Sequence, residues 1–139
     1  MTKNVDFESV KLTISHARSD REEYELVRTE NGASVTYYCG FWHIRDDVKR
    51  EECINKRIVG GKELYDEICG LLCQFRVASW DGFNKGNKHV CDGSQFSFDA
   101  VINGKRIYAS GENNYPRTYR EFLAAIKDIL DREEIKDED

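Results

Sequence analysis

Phe96-Ser97-Phe98-Asp99-Ala100 alternates up to Asn103-Gly104 and is answered by Ile107-Tyr108-Ala109, and this stretch decides the fold. Strict alternation of apolar and polar residues puts one face of an extended chain in a core and the other outside. Asn-Gly between two such runs is the strongest short-range hairpin signal, because both turn positions tolerate positive φ. A two-residue turn pairs Phe98 with Ala109 and Ser97 with Ser110. The first of these strands therefore begins beside the point where the second ends. That places 80–94 next to 110–117 at one end of a sheet, with a helix starting from the same place.

Working outward, Val10, Leu12 and Ile14 alternate with Lys11, Thr13 and Ser15, which predicts a half-buried strand. Tyr24 and Leu26 share one face of the next segment, up to a second Asn-Gly at Asn31-Gly32. A two-residue turn there sets Leu26 opposite Tyr37 and Tyr24 opposite Cys39, keeping one apolar face. The span Arg45–Arg57 is dense in charges of both signs and reads as an exposed loop or short helix, closed by Gly60-Gly61. Leu64, Ile68, Leu71, Leu72 and Phe75 then form one helical stripe. Thr118 and Glu121 make a capping box. It opens a last helix with the stripe Tyr119, Phe122, Leu123, Ile126, Ile129 and Leu130. The expected fold is α+β: an antiparallel sheet of about five strands, in the order β-β-β-α-β-β-α, with two helices on one face.

The bulk numbers agree with one domain spanning residues 1–139. A chain of 139 residues, 40% hydrophobic and 34% charged, buries a core without staples. It has seven Phe, seven Tyr, two Trp and a single proline, Pro116. No stretch approaches the about 20 apolar residues that a membrane-spanning helix needs. The start of the chain has no signal-peptide character. Five cysteines without framework spacing suit free thiols, and together these features predict a cytoplasmic protein with no membrane association. The net charge of −5 is all carried by residues 128–139, where seven acids meet two bases. Residues 131–139 are expected to form an acidic, fraying helix end. A balanced chain with no basic stripe is not built for nucleic acid.

The junction 80–94/110–117 gathers the candidate functional residues. As an acid–base site it offers Asp81, His89 and Asp92, with Glu112 nearby. As a binding site for a small anionic ligand it offers Lys85, Lys88, Asn113, Asn114 and Arg117 beside the amino end of the last helix. The structural alternative is that Trp80, Phe83 and Tyr115 close the core while Asp and Asn satisfy loop amides.

These residues also carry a resemblance. Trp80-Asp81-Gly82-Phe83, Asp92-Gly93-Ser94 with Phe96-Ser97-Phe98, and Ala109-Ser110-Gly111 with Asn113, Tyr115-Pro116 and Tyr119 are ordered as in a family of small uncharacterised proteins of Firmicutes-type bacteria. The similarity covers about residues 64–130. It implies a bacterial origin and supplies no activity.

Other chemistries find little footing. Zinc would draw on Cys39, His43, Cys69, Cys73, His89 and Cys91, but the two-residue spacing typical of structural sites is absent. His89 and Cys91 are the one close histidine–cysteine pair, without a motif around them. No strand leads into a phosphate-cradling glycine loop. No cofactor or metal is implied. The pattern favours a non-enzymatic module that binds a small ligand or a protein, with a regulatory or immunity-like role as one form of it. A small hydrolase at the junction is the alternative, and an open concave junction rather than an aromatic plug would favour it.

Overall fold

The computed structural model describes residues 5–16, 21–40, 54–85, 94–112 and 114–136, with the side chains of 16, 40, 54, 55 and 133–136 left aside. The deciding hairpin is that of β6 (Ser94–Ile102) and β7 (Lys105–Glu112). Phe98 pairs with Ala109 and Ser97 with Ser110, as the two-residue turn requires. Asn103 and Gly104 both sit at positive φ, 55° and 75°.

β1 (Phe7–His16) lies antiparallel on the other side of β6 and carries β2 (Arg21–Arg28) and β3 (Ala33–Gly40) outward. Two further strands complete the sheet. β4 (Ile54–Gly60) pairs with β3, and β5 (Asn84–Lys85) runs parallel to β7. The order is β4-β3-β2-β1-β6-β7-β5, so the described strands number seven rather than about five. α1 (Lys62–Gln74) and α2 (Tyr119–Lys136) make the fold α+β.

Both helices serve the same face of the sheet. Phe7 on β1 stacks on Tyr65 of α1 at 5.1 Å, and Phe98 on β6 meets Phe122 of α2 edge-on at 6.4 Å. Phe7 lies opposite Ile102, which shares the face of Phe98 and Ala100. The expected stripes are buried: Leu64, Ile68 and Leu72 on α1, and Tyr119, Phe122, Ile126, Ile129 and Leu130 on α2. Truncating a fully buried ring such as Phe122 to alanine costs about 3–5 kcal/mol.

Three expectations need correction, each for a physical reason. Residues 54–57, assigned to a loop or short helix, are strand β4; the rest of 45–57 lies outside the described residues. β4 is an edge strand, and edge strands carry charges that blur the alternation a reader looks for. Here Lys56 occupies a core-facing position and Arg57 an outward one.

The first hairpin is offset from its expected register. Tyr24 faces Tyr37 and Leu26 faces Val35. The turn is at Glu30-Asn31, closed by Thr29 N–H donating to the Gly32 carbonyl at 2.9 Å. The offset is even in residue number, so the apolar face survives it. Gly32 is not there for positive φ. A Cβ on it would lie 2.3 Å from the backbone of Gly60 and Gly61. The glycine lets the β4–α1 connection press onto the hairpin.

The capping box does not form either. The Thr118 hydroxyl donates to the Phe75 carbonyl at 2.6 Å and accepts from Trp80 Nε1 at 3.1 Å. It joins the end of α1, the 3-10 turn Val77–Trp80 and the start of α2, instead of capping its own helix.

Candidate functional site

At the end of the sheet where β6 starts and β7 stops, aromatic rings fill the space. Phe96 stacks on Tyr115 at 5.5 Å, Tyr115 on Tyr119 at 4.6 Å, and Trp80 meets Phe98 edge-on at 4.8 Å. The hydroxyls of Ser94 and Tyr115 are hydrogen-bonded. Residues 80–85 and 110–117 are therefore neighbours, as the hairpin register demanded: Asn84 pairs with Ser110 and Lys85 with Gly111.

The polar candidates of this junction take several positions. Asp81 Oδ1 accepts from the Tyr108 backbone N–H at 2.9 Å, clamping the segment that follows the 3-10 turn to β7. Lys85 Nζ lies 5.6 Å from the centre of the Phe83 ring. Asn114 Nδ2 donates to the Glu112 carbonyl, and Arg117 is exposed. Lys88, His89, Asp92 and Asn113 lie outside the described residues.

A second polar group belongs to the core side of the sheet and was not among the sequence candidates. Across β4, β3, β2, β1, β6 and β7, one core-facing row reads Lys56, Tyr37, Tyr24, Leu12, Phe98, Ala109. The next row reads Cys39, Glu22, Ile14, Phe96, Gly111. The β1–β6–β7 part of each row is the hydrophobic core. The β2–β3–β4 part sets Glu22 and Lys56 beside Tyr24, Tyr37 and Cys39, at positions whose parity calls for apolar residues.

α2 passes over this corner and leaves a cleft of about 420 Å³ lined by Glu22, Tyr24, Tyr37, Lys56, Lys127, Leu130 and Asp131. Glu22 Oε1 accepts from both tyrosine hydroxyls, 3.2 Å from Tyr24 and 3.3 Å from Tyr37. The two rings lie 4.8 Å apart. Lys56 Nζ, 3.4 Å from the Leu130 carbonyl and from Asp131 Oδ1, ties the strand edge to the helix. Among the described residues, Lys127 lines the cleft without an ion pair.

Burial, reinforced by the Glu22 carboxylate, pushes the Tyr24 hydroxyl well above its ordinary pKa. The Tyr37 hydroxyl moves the same way, through burial, its bond to Cys39 and the same carboxylate. Both phenols are neutral donors at any physiological pH. Burial also raises the Cys69 thiol on α1, keeping it protonated and a poor nucleophile.

Glu22 was legible in principle, since it shares the parity of Tyr24 and Leu26. Lys56 was not, because recognising its place requires β4 and its register against Tyr37. No protein-family model matches the chain, and no curated protein matches it.

Proposed function

We propose that the protein is a non-enzymatic module that binds a small ligand in the cleft between β2–β4 and α2. The observation that carries this reading is a carboxylate and an ammonium, Glu22 and Lys56, at core-facing positions of a sheet face whose β1–β6–β7 part forms the apolar core. A fold places polar groups against its own pattern at a cost, and such departures concentrate where function is. The volume of about 420 Å³ suits a small metabolite, since ligand pockets run from about 300 to 1,000 Å³.

The groups present suit recognition better than reaction. The tyrosines are held neutral and donate to Glu22. Lys56 is engaged with Asp131, and the Cys69 thiol on α1 is held protonated. At the other end of the same face, Asp81 spends an oxygen on a backbone amide, which gives the hydrolase reading no support.

Isotope-labelled protein titrated with a library of small polar metabolites tests the proposal. Saturable amide shifts are expected at Glu22, Tyr24, Tyr37, Lys56 and Lys127 with at least one compound class. Shifts confined to 80–85 and 110–117 would move the site to the junction. No saturable shift with any class would end the small-ligand reading.

A further inference from the structure

We propose that β4 is the pairing edge of a symmetric dimer, with a second copy of this chain lying antiparallel along it and the two-fold axis at Ile58. This pairing does not depend on what the cleft binds. The sheet ends at β4 on one side and at β7 with β5 on the other. The β7 edge is closed by its own chain. Tyr108 N–H donates to Asp81 Oδ1, the Tyr108 carbonyl accepts from Gly82 N–H at 2.9 Å, and Ser110 N–H donates to the Phe83 carbonyl at 2.9 Å. Among the described residues no such closure reaches β4. The first hairpin fixes which backbone groups β4 leaves open. Thr29 and Gly32 exchange two hydrogen bonds and so form a bonded pair. Bonded and non-bonded pairs alternate along an antiparallel ladder. Val27 with Ser34 and Glu25 with Thr36 are therefore bonded pairs, and Ala33, Val35 and Tyr37 turn their backbone groups to β4 instead. Their partners there are Gly60, Ile58 and Lys56. The N–H and C=O of Arg57 and Val59 point away from the sheet, and none of the described residues bonds them.

An open edge recruits an extended strand, and proteins guard their edges with charges, prolines or bulges. On β4 the guards are turned aside. Lys56 is tied to Asp131 at 3.4 Å, and Arg57 Nε donates to Thr36 Oγ1 at 3.0 Å, back over its own sheet. β4 contains no proline, and its register shift falls before Lys56, which leaves 56–60 regular. Val59 is 68% exposed, the most of any large hydrophobic side chain among the described residues, and Ile58 is half-buried at the rim of the core. A second copy fits this stretch in one register. The two faces of the sheet continue only when residues of like parity pair. An axis at Lys56 or at Arg57 would set that cation against itself, which disfavours pairing. An axis at Val59 would run the ladder off the strand at Gly60. At Ile58, the middle of the regular stretch, Ile58 meets its own copy on the core side. Arg57 then lies opposite Val59 on the outer side, and Lys56 opposite Gly60. Arg57 and Val59 hold the open backbone groups, so this register closes them in two bonded pairs. The interface is isologous and stops at two copies. It is short, which places it with the small interfaces below about 1,200 Å² that associate weakly.

Sedimentation velocity of the intact protein between about 10 μM and about 1 mM tests the proposal, with a reversible monomer–dimer equilibrium expected in that range. Amide exchange at Arg57 and Val59 should slow as the concentration rises. Val59→Pro deletes an outward N–H that β4 does not use in its own ladder, and edge strands accept proline there. Val59→Lys keeps that N–H but sets like charges opposite each other at both Arg57 pairs. Each should weaken the dimer about tenfold or more, whereas Val59→Thr, which keeps the N–H and adds no charge, should stay within about threefold of the unsubstituted chain. Circular dichroism confirms that the variants are folded; should Val59→Pro unfold, Val59→Lys and the two amides carry the test. A chain that stays monomeric to about 1 mM overturns the proposal and leaves the edge to a strand of another protein. A dimer that Val59→Pro and Val59→Lys both leave intact also overturns it, because association then runs through another face. If Val59→Lys weakens the dimer but the Arg57 and Val59 amides gain no protection, the copies touch at β4 without pairing strands, and the proposal falls.

Discussion

Thr118 shows how one side chain can hold three elements. Its hydroxyl accepts from Trp80 Nε1 and donates to the Phe75 carbonyl in a partly buried site. Thr118→Val leaves a buried indole N–H and a carbonyl without partners, and should destabilise by about 1–3 kcal/mol in urea unfolding. Thr118→Ser should recover most of that. A loss below about 0.5 kcal/mol would mean that water replaces both bonds. The tyrosines set a second expectation at this scale. Tyr24, Tyr37 and Tyr119 are raised chiefly by burial, and Tyr65 is pushed up to about 12 from 10. Below the unfolded value both states hold neutral phenols. Above it the unfolded chain ionises first, so stability falls as pH rises past 10. Denaturant unfolding at increasing alkaline pH should show this slope, reduced in Tyr24→Phe. An unchanged slope would mean that the Tyr24 hydroxyl is not buried as described.

At the scale of elements, two glycines that look alike in sequence play different parts. Asn31-Gly32 and Asn103-Gly104 are the same dipeptide between alternating runs. Gly104 is needed for its φ of 75°, and a Cβ there would meet open space. Gly104→Ala should therefore cost about 1–2 kcal/mol of left-handed strain. A Cβ added to Gly32 would lie 2.3 Å from the backbone of Gly60 and Gly61, which cannot yield as a flexible side chain would. Gly32→Ala should cost about 3 kcal/mol or more, the upper end of overpacking. Thermal and urea unfolding of the two variants decide the order. If Gly104→Ala is the more damaging, the β4–α1 connection does not pack on the hairpin as described.

At the scale of the molecule, the acidic end is charge on a helix that is itself tethered. Arg132 pairs with Glu67 of α1 through two bonds, 2.8 and 2.6 Å, and Asp131 with Lys56 of β4. Removing residues 133–139 deletes five acids and one base and should move Tm by no more than about 4 °C. Ending the chain after Leu130 also removes both tethers, adding about 1 kcal/mol at most for such exposed pairs. The Arg132 guanidinium holds the Glu67 carboxyl below its usual range. A depressed carboxyl contributes stability at neutral pH that is lost as pH falls through its folded pKa. The two truncations should therefore differ at neutral pH and converge in acid. A large Tm drop in the shorter deletion would show that residues 133–139 pack on the domain. On the outward face of the sheet, Arg57, Glu25, Lys11 and Asp99 fall in one row with alternating sign, and Arg106 pairs with Asp99 at 2.9 Å. That row is how a chain with 34% charged residues keeps an open face without a one-signed field.

The sequence by itself determined the α+β class, both helices with their buried stripes, and the β6–β7 register. Each is written in local periodicity or in a turn whose backbone only certain residues accept. Phe96, Phe98 and Ala100 against Ile107 and Ala109 needed no partner from elsewhere. Only the tertiary structure decided that Lys56 sits on a strand, that Gly32 is a contact rather than a hinge, and that Thr118 faces Trp80 and Phe75. It alone brought Glu22, Tyr24, Tyr37 and Lys56 under α2 as one cleft. The physical reason is range: parity along a strand and periodicity along a helix act over a few residues. Cross-strand register and helix placement join residues as far apart as Glu22 and Asp131, which no local pattern records.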